Sequence, residues 1–449
     1  FGSRACAWRG WDGVVGEERG AGAQEGGTSR ASMAAQVRPP AEPDPQAPVF
    51  DPEDEEAIER HWHEHGFVVV RGVLDDAAVK ATVDELWESP SLLGGHPGIR
   101  RDDPESWGGD SWPAGCRNFL DSLDPCAEVQ SWRNRVNPTV GRIFEVLWRG
   151  LGRKEGCKDG PAPEQAEGTT TSEEGRLVVS VDRFGMMRPT RVRQDEAIKE
   201  RPEWRTSRNW LHWDQNPWST PGFYGVQGLL ALSGGNATSG GFVTVPGFHK
   251  EFARWSQEHP EGSVPKRSAK MVPFTVPLED EMQGRRVKVI VPQGGLLAWD
   301  SRMPHENFPN EGETWRLAQY VTCKRLPVEA LQHRAGAWHA GIRTGLVPAP
   351  FARAFSAREH ALLGMAPLDT DVELLEQAIK EGEGLSPEAL DAARKLKRAY
   401  RLKQTAEMPE ELMEARNLFQ AAFSVNPGLK EPLQRVAMAE ASYLPFWIL

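Results

Sequence analysis

The fold prediction starts from residues 294–323, GGLLAWDSRMPHENFPNEGETWRLAQYVTC. Apolar, strand-like runs stand at both ends, and Pro, Asn and Gly divide them. Runs of the same kind precede them, from RLVVSVDRFG at 176–185 through RNWLHWD, FYGVQGLLAL and GGFVTVPG to RRVKVIV at 285–291. One segment between them, HKEFARWSQEHPE, predicts a short helix. Many short strands with so little helix indicate a β-sandwich or barrel rather than a parallel α/β sheet.

Helical patterns flank this β-rich region. Upstream, residues 51–66 predict an amphipathic helix that Gly66 ends, followed by the strand FVVVRGVL and the helix DDAAVKATVDELWES. From about Phe355 to the end of the sequence the pattern is helical. The expected fold class is therefore mainly β with flanking helices, plus a C-terminal helical extension.

The composition predicts three regions. Residues 1–48 are rich in Gly, Ala and Pro and predict a disordered leader. Residues 49–354 are expected to form the β-domain, and residues 355–449 the helical region. Within the β-domain, residues 91–175 show no readable pattern, and residues 152–175 are typical of a solvated insertion.

Charge and cysteine content restrict the function classes. The net charge of −11 argues against nonspecific binding to nucleic acid, and no apolar stretch is long enough to span a bilayer. The five cysteines are widely spaced and contain no CxxC pair, so we expect neither a disulfide framework nor a thiolate zinc site. A reducing, cytoplasmic location is the resulting expectation. The sequence leaves the oligomeric state open.

His212, Asp214 and His305 are the residues with the clearest chemical meaning. Alternate side chains of a strand point to the same face, so His212 and Asp214 should emerge together from HWD. His305 comes from a distant segment, in the turn after GGLLAWD. Two histidines and one carboxylate on one face of a metal are the facial triad of non-haem Fe(II) oxygenases. The pattern therefore predicts that these three residues bind Fe(II) and carry catalysis.

Arg316 completes this chemical pattern. Three protein ligands leave coordination sites for the keto and carboxylate oxygens of a 2-oxo acid and for O2. The far carboxylate of that acid needs a fixed bidentate partner, for which Arg is better shaped than Lys. Arg316 lies on the strand WRLAQYVTC, which should return beside the metal. We therefore expect Fe(II), O2 and 2-oxoglutarate as cofactors and co-substrates, with Arg316 binding 2-oxoglutarate.

The sequence resembles the phytanoyl-CoA dioxygenase family over roughly residues 51–326, apart from residues 91–175. Four collinear segments carry the resemblance: AIERHWHEHGFVVVRGVLDDAAV, the HWD triplet, SGGFVTVPGFHK and GGLLAWDSRMPHENFPNEGETWRLAQYVT. The resemblance implies a double-stranded β-helix core, which is a cupin-like jelly roll. It also implies an Fe(II)- and 2-oxoglutarate-dependent dioxygenase that hydroxylates a C–H bond of a small-molecule or lipid-like substrate, releasing succinate and CO2.

The resemblance also implies roles for neighbouring residues. Asn307 lies where the family often has a small polar residue beside the 2-oxoglutarate carboxylate, so it is expected to assist Arg316. Asn310 and His249 match structural positions of the family's loops. Trp213 departs from the family pattern between the two ligands.

Two alternatives remain open from the residues alone. The barrel could be a non-catalytic binding module that recruits a partner through its C-terminal helices; loss of a ligand or of Arg316 would have favoured this, and none is lost. It could also be a cupin-like metalloenzyme that does not use 2-oxoglutarate, in which case Arg316 would have no carboxylate to bind. A halogenase is disfavoured, because halide needs the coordination site that Asp214 fills.

Overall fold

The structure is a computed structural model of the 449-residue chain. It describes residues 42–43, 47–88, 93–108, 112, 120–121, 129–149, 176–262, 274–366, 372–405, 409–425 and 427, except for single gaps at 97, 181, 183 and 195. Most of the predicted leader and the whole predicted insertion at 152–175 lie outside these residues.

The strands are β1 (Glu42–Pro43), β2 (Val49–Phe50), β3 (Phe67–Val70), β4 (Leu120–Asp121), β5 (Arg176–Val179), β6 (Phe184–Met187), β7 (Arg191–Gln194), β8 (Ala197–Glu200), β9 (His212–Trp213), β10 (Val226–Ala231), β11 (Gly241–Thr244), β12 (Phe274–Thr275), β13 (Val287–Val289), β14 (Leu296–Asp300), β15 (His305–Phe308) and β16 (Arg316–Leu326). The helices are α1 (Glu55–His65), α2 (Asp76–Glu88), α3 (Val129–Arg135), α4 (Pro138–Arg149), α5 (Phe252–Glu258), α6 (Val328–Arg343), α7 (Ala349–Arg353), α8 (Ala357–Leu363), α9 (Val372–Gly382), α10 (Pro387–Thr405) and α11 (Pro409–Val425).

Strands β6, β9, β10, β11, β13, β14, β15 and β16 form a jelly roll. One sheet contains the order β6-β16-β10-β14 and the other the order β9-β15-β11-β13. All of these neighbours are antiparallel. Consecutive strands therefore cross repeatedly between two sheets, which is the connectivity of a double-sheet jelly roll. The predicted mainly β fold, with a jelly-roll core and a helical C-terminal extension, is confirmed.

The sheet that contains β16 separates two apolar cores. Because side chains alternate along a strand, Ala318 faces the interior of the roll with Leu229, while Leu317 and Val321 face the other way. The outer core contains Phe144 of α4 and other buried helical residues. One face of this sheet is thus covered by helices, and the other encloses the space between the sheets.

The helices before the roll follow the sequence pattern closely. Gly66 ends α1 in the left-handed conformation, with φ 76°, and its N–H bonds the carbonyl of Trp62. Asp75 caps α2 by accepting a 2.7 Å hydrogen bond from the N–H of Ala78. Strand β3 then adds to the edge of β14, so the predicted helix, strand and helix are all present.

Four features differ from the sequence pattern. Helices α3 and α4 lie in the stretch that showed no readable pattern. RLVVSVDRFG, predicted as one strand, forms β5 and β6, which pair with different parts of β16. The hairpin β7–β8 was not predicted. Helix α6 begins at Val328, upstream of the segments whose sequence pattern is helical. The predicted domain division between residues 354 and 355 stays a prediction.

Among the described residues, no helix combines the length and apolar character that crossing a membrane requires.

Candidate metal centre

His212 and His305 stand directly opposite each other on adjacent strands. They form the register pair between β9 and β15, and the centroids of their rings lie 4.5 Å apart. Both are buried, with 1% and 9% of their surface exposed. Antiparallel pairing therefore brings together two histidines that are far apart in sequence.

Backbone carbonyls orient both imidazole rings. Nδ1 of His212 lies 3.2 Å from the carbonyl oxygen of Trp210, and Nδ1 of His305 lies 3.1 Å from that of Met303. A carbonyl oxygen only accepts, so each Nδ1 carries the ring hydrogen. In the neutral ring each Nε2 then presents a lone pair, which is the state in which histidine binds a metal.

Asp214 supplies the carboxylate of this cluster. Its two oxygens lie 3.6 Å from Nε2 of His212 and 3.5 Å from Nε2 of His305. The ligand atoms of all three residues lie within 4.8 Å of one another. The side chain of Asp214 keeps 52% of its surface exposed, so the cluster opens toward solvent on this side.

The charge states of the cluster suit a metal ion. Loss of hydration opposes ionisation of Asp214, but the two imidazoles outweigh it, and the pKa of Asp214 lies well below its ordinary value. Burial, together with the neighbouring His305, lowers the pKa of His212. An ionised carboxylate and a neutral imidazole are the forms that coordinate metals.

Gln227 on β10 also contacts the cluster, although the sequence pattern did not indicate it. Its Nε2 donates a 2.7 Å hydrogen bond to Oδ2 of Asp214. Its Oε1 accepts a 3.2 Å hydrogen bond from Nε1 of Trp299. This second bond fixes the amide orientation, so Nε2 of Gln227 stays directed at the carboxylate of Asp214. No motif marks this residue, because it becomes a neighbour of Asp214 only through packing of the two sheets.

A buried ion pair supports the segment before β9. Nη1 of Arg286 donates to Glu306 at 2.7 Å, and both side chains are about 95% buried. The other oxygen of Glu306 accepts a 2.7 Å hydrogen bond from the backbone N–H of Trp210. Trp210 in turn holds His212 through its carbonyl and stacks its ring on the imidazole at 4.7 Å. The pair thus fixes the residue that orients one of the histidines.

Arg316 lies inside the roll, at the start of β16. It is 6% exposed, and it lines a cavity between the sheets together with Phe242 and Lys288. Among the described residues, Nη1 of Arg316 has no hydrogen-bond partner. A buried guanidinium with an unused donor is costly unless a ligand supplies the acceptor. Gly240 allows this close packing, since a Cβ there would lie 3.3 Å from Cβ of Arg316.

Lys288 is a second cation in the same cavity, but its bonds are already used. Its Nζ donates to the carbonyls of Asn236, Ala237 and Ser239 at 2.9, 2.8 and 2.6 Å. Burial lowers the pKa of Lys288 to about 8. The contrast with Arg316 leaves the arginine as the better candidate for binding an anion.

Asn307 shares a strand with one of the histidines. It lies on β15 two residues after His305, so both side chains are on the same face of the sheet. It is half-buried and stands opposite Phe242 of β11. The geometry is compatible with its predicted role beside Arg316, which stays a prediction.

The remaining residues singled out in the sequence have structural surroundings. Trp213 packs against Phe248, Phe252 and Trp255. Its bulk therefore lies on the face of β9 opposite to the two ligands. Asn310 is buried and bonds loop backbone, accepting from Gly240 N–H at 3.1 Å and donating to Thr314 at 2.8 Å.

His249 bonds the carbonyl of His63 at 3.2 Å, which ties the turn after β11 to α1.

The fold and these residues together define a jelly-roll protein with two imidazoles and a carboxylate that could hold a metal ion. No family model matches the chain. It is 21% identical over 298 residues to a Dictyostelium discoideum protein described as "Putative phytanoyl-CoA dioxygenase", covering 58% of this chain and 72% of that protein. This match confirms the resemblance to the phytanoyl-CoA dioxygenase family. A second relative, "Ava biosynthesis cluster protein O" of Aspergillus versicolor, is 23% identical over 301 residues, covering 66% of this chain and 83% of the relative.

Solved structures are similar at lower identity. The epimerase SnoN, in complex with Fe3+, alpha-ketoglutarate and nogalamycin RO, is 16% identical and covers 61% of this chain and 85% of its own, with a TM-score of 0.37. GIG2 of Candida albicans is 13% identical and covers 88% of this chain and 89% of its own, with a TM-score of 0.43.

Proposed function

We propose that this protein is an Fe(II)- and 2-oxoglutarate-dependent dioxygenase that hydroxylates a C–H bond of a small-molecule or lipid-like substrate. One observation carries the proposal. A His–Asp–His cluster of the facial-triad type lies in the same roll as a buried arginine with an unused hydrogen-bond donor.

The donor set fits Fe(II). His212 and His305 would supply imidazole nitrogens, and Asp214 one negative charge. Imidazole and carboxylate together suit a divalent iron and leave the open positions that an oxygenase needs. The half-exposed side of Asp214 gives the substrate a route to the metal.

The buried arginine fits 2-oxoglutarate. Arg316 would bind the distal carboxylate through parallel N–H···O bonds, and Asn307 would assist it. The surrounding cavity wall includes Leu229 and Ala318, which exclude water and so strengthen the ionic contact. Iron, 2-oxoglutarate and O2 would supply the oxidising chemistry, with release of succinate and CO2, while the protein supplies ligation, orientation and a dry site.

The alternatives explain fewer of these features. A non-catalytic binding module would need neither oriented Nε2 lone pairs nor a carboxylate held by Gln227. A cupin-like enzyme without 2-oxoglutarate would leave the buried Nη1 of Arg316 unexplained. A cytoplasmic location, supported by the low cysteine content, belongs to the same proposal.

Succinate formation tests the proposal. The iron-loaded protein is incubated with 2-oxoglutarate and O2 across a panel of small molecules and acyl-CoAs. We expect succinate and a product heavier by one oxygen with at least one class of compound, and neither without iron. A protein that binds iron but converts no 2-oxoglutarate, even slowly without substrate, would contradict the proposal and favour the cupin-like alternative.

A further inference from the structure

Lys324 lies on the inner face of β16, beyond the cavity of Arg316. Side chains alternate along the strand, so Lys324 shares the face of Arg316 and Ala318. It is half-buried. A charged residue on the inward face of a sheet needs an electrostatic reason to be there.

The strand register places Lys324 close to the metal cluster. Gln227, which bonds Asp214, stands opposite Thr322 of β16. Lys324 is two residues further along, so it is the diagonal neighbour of Gln227, at about 7–8 Å between Cα atoms. The residue beside Lys324 on the neighbouring strand is Gly225, whose Cβ, if present, would lie 3.5 Å from Cγ of the lysine. The stem of Lys324 therefore packs across this glycine.

Tyr224 supplies a second polar group. Nζ of Lys324 donates a 3.0 Å hydrogen bond to the Tyr224 hydroxyl and lies 4.3 Å from the centroid of its ring. The hydroxyl that accepts this bond carries a hydrogen of its own. An ammonium and a phenol at this distance can donate to the two oxygens of one carboxylate.

The charges around Lys324 agree with this arrangement. Burial lowers the pKa of Lys324 to about 8, while the carboxylates of Asp182 and Asp214 raise it and Arg334 lowers it further. The ammonium is thus mostly protonated near neutral pH but has lost part of its hydration. An anionic ligand would stabilise the charged form of the lysine, which burial destabilises.

We propose that Lys324 and Tyr224 bind the carboxylate of an anionic substrate beside the metal cluster. The inference rests on the proposed function for its chemistry. With Asp214 and a bound 2-oxoglutarate, the iron site carries net negative charge, which would repel a second anion. A cation one diagonal step from Gln227, which bonds the carboxylate of Asp214, offsets that repulsion and anchors the substrate, while the rest of the molecule extends toward the triad. One lysine matches the single charge of a carboxylate better than the double charge of a phosphate.

Fluorine NMR with a matched set of probes tests the site. Anaerobic Fe(II) protein is saturated with 2-oxoglutarate, which occupies Arg316, and titrated with para-fluorophenylacetate, para-fluorophenylacetamide and para-fluorophenyl phosphate. We expect the wild type to bind the acid about tenfold or more tightly than the amide, and more tightly than the phosphate. Lys324→Met should abolish the preference for the acid without weakening the amide, and Lys324→Arg should retain part of it.

Arg325→Met is the matched control, because it also removes one positive charge but from the exposed, opposite face of β16. It should keep the preference. Equal binding of acid and amide by the wild type, no binding of the acid at millimolar concentration, tighter binding of the phosphate, or an unchanged preference in Lys324→Met would each overturn the inference. Failure of the proposed function would show separately, as loss of the 2-oxoglutarate charge-transfer band in the wild type.

Discussion

The amide of Gln227 connects two residues that the sequence keeps far apart. It donates to Asp214 at 2.7 Å and accepts from the indole of Trp299 at 3.2 Å. The indole has no acceptor, so the amide cannot rotate without losing this bond. The carboxylate oxygen beside His305 is therefore held in place by a residue of the opposite sheet.

Removing this amide should weaken metal binding. Gln227→Leu keeps the approximate size of the side chain but lets the carboxylate rotate, and we expect Fe(II) affinity to fall about 10- to 100-fold. Anaerobic titration with Fe(II) measures the effect. Gln194→Leu, in the β7–β8 hairpin, is the control and should bind as the wild type does. Equal affinity in the two variants would show that Gln227 does not position the ligand.

Trp213 should matter for stability rather than for co-substrate binding. It is 1% exposed and packs against three aromatic side chains on the face away from the ligands. Trp213→Ala should lower the free energy of unfolding by about 3–5 kcal/mol, and Trp213→Phe by less. Urea unfolding gives both values. A Trp213→Phe protein with normal stability but altered 2-oxoglutarate affinity would place this side chain in the site instead.

The buried pair of Arg286 and Glu306 allows a double-mutant test. Glu306→Gln keeps an acceptor for the Trp210 N–H but leaves the arginine unpaired, so we expect a loss of about 3–5 kcal/mol in unfolding free energy. Adding Arg286→Met should recover part of that loss, because it removes the unpaired charge. If the double variant is less stable than Glu306→Gln alone, the arginine has another stabilising role.

Stability should fall in mild acid because of His249. Burial lowers the pKa of His249 to about 4, from an ordinary value of 6.5. Between these values the unfolded chain binds a proton that the folded protein excludes, so stability is complete above pH 6.5 and is lost as the pH falls to about 4. The loss should reach about 3 kcal/mol and then level off.

Urea unfolding of the wild type and His249→Gln across this pH range isolates the effect, since other groups titrate in both proteins. The variant should lack this part of the decline. Identical pH profiles would mean that His249 is protonated as easily in the folded protein as in the unfolded one.

The residues that could be predicted from the sequence are those marked by strand alternation or by a helix-ending glycine. Strand alternation placed His212 and Asp214 on one face, although Asp214 lies just beyond the two-residue strand β9. Gly66 marked the end of α1 because its positive φ suits glycine.

Gln227, Glu306 and Lys324 have no such signal, since their importance comes from partners on other strands. Cross-strand register depends on how the two sheets pack, and a single sequence does not encode it locally. The helices α3 and α4 were missed for a related reason, because the mixed composition around them hides their apolar faces.

The binding of 2-oxoglutarate to the anaerobic Fe(II) protein tests the roles of the metal cluster and of Arg316 together. The metal-to-ligand charge-transfer band is followed as 2-oxoglutarate is added to the wild type, Arg316→Lys and Arg316→Ala. We expect the band in the wild type, and a loss of about 2–5 kcal/mol of binding free energy in Arg316→Ala with Fe(II) affinity nearly unchanged. Arg316→Lys should recover part of the loss, since an ammonium cannot make two parallel bonds. Equal 2-oxoglutarate affinity in the wild type and Arg316→Ala would contradict the role of Arg316 in binding 2-oxoglutarate. The absence of the band in the iron-loaded wild type would contradict the binding of 2-oxoglutarate at the iron.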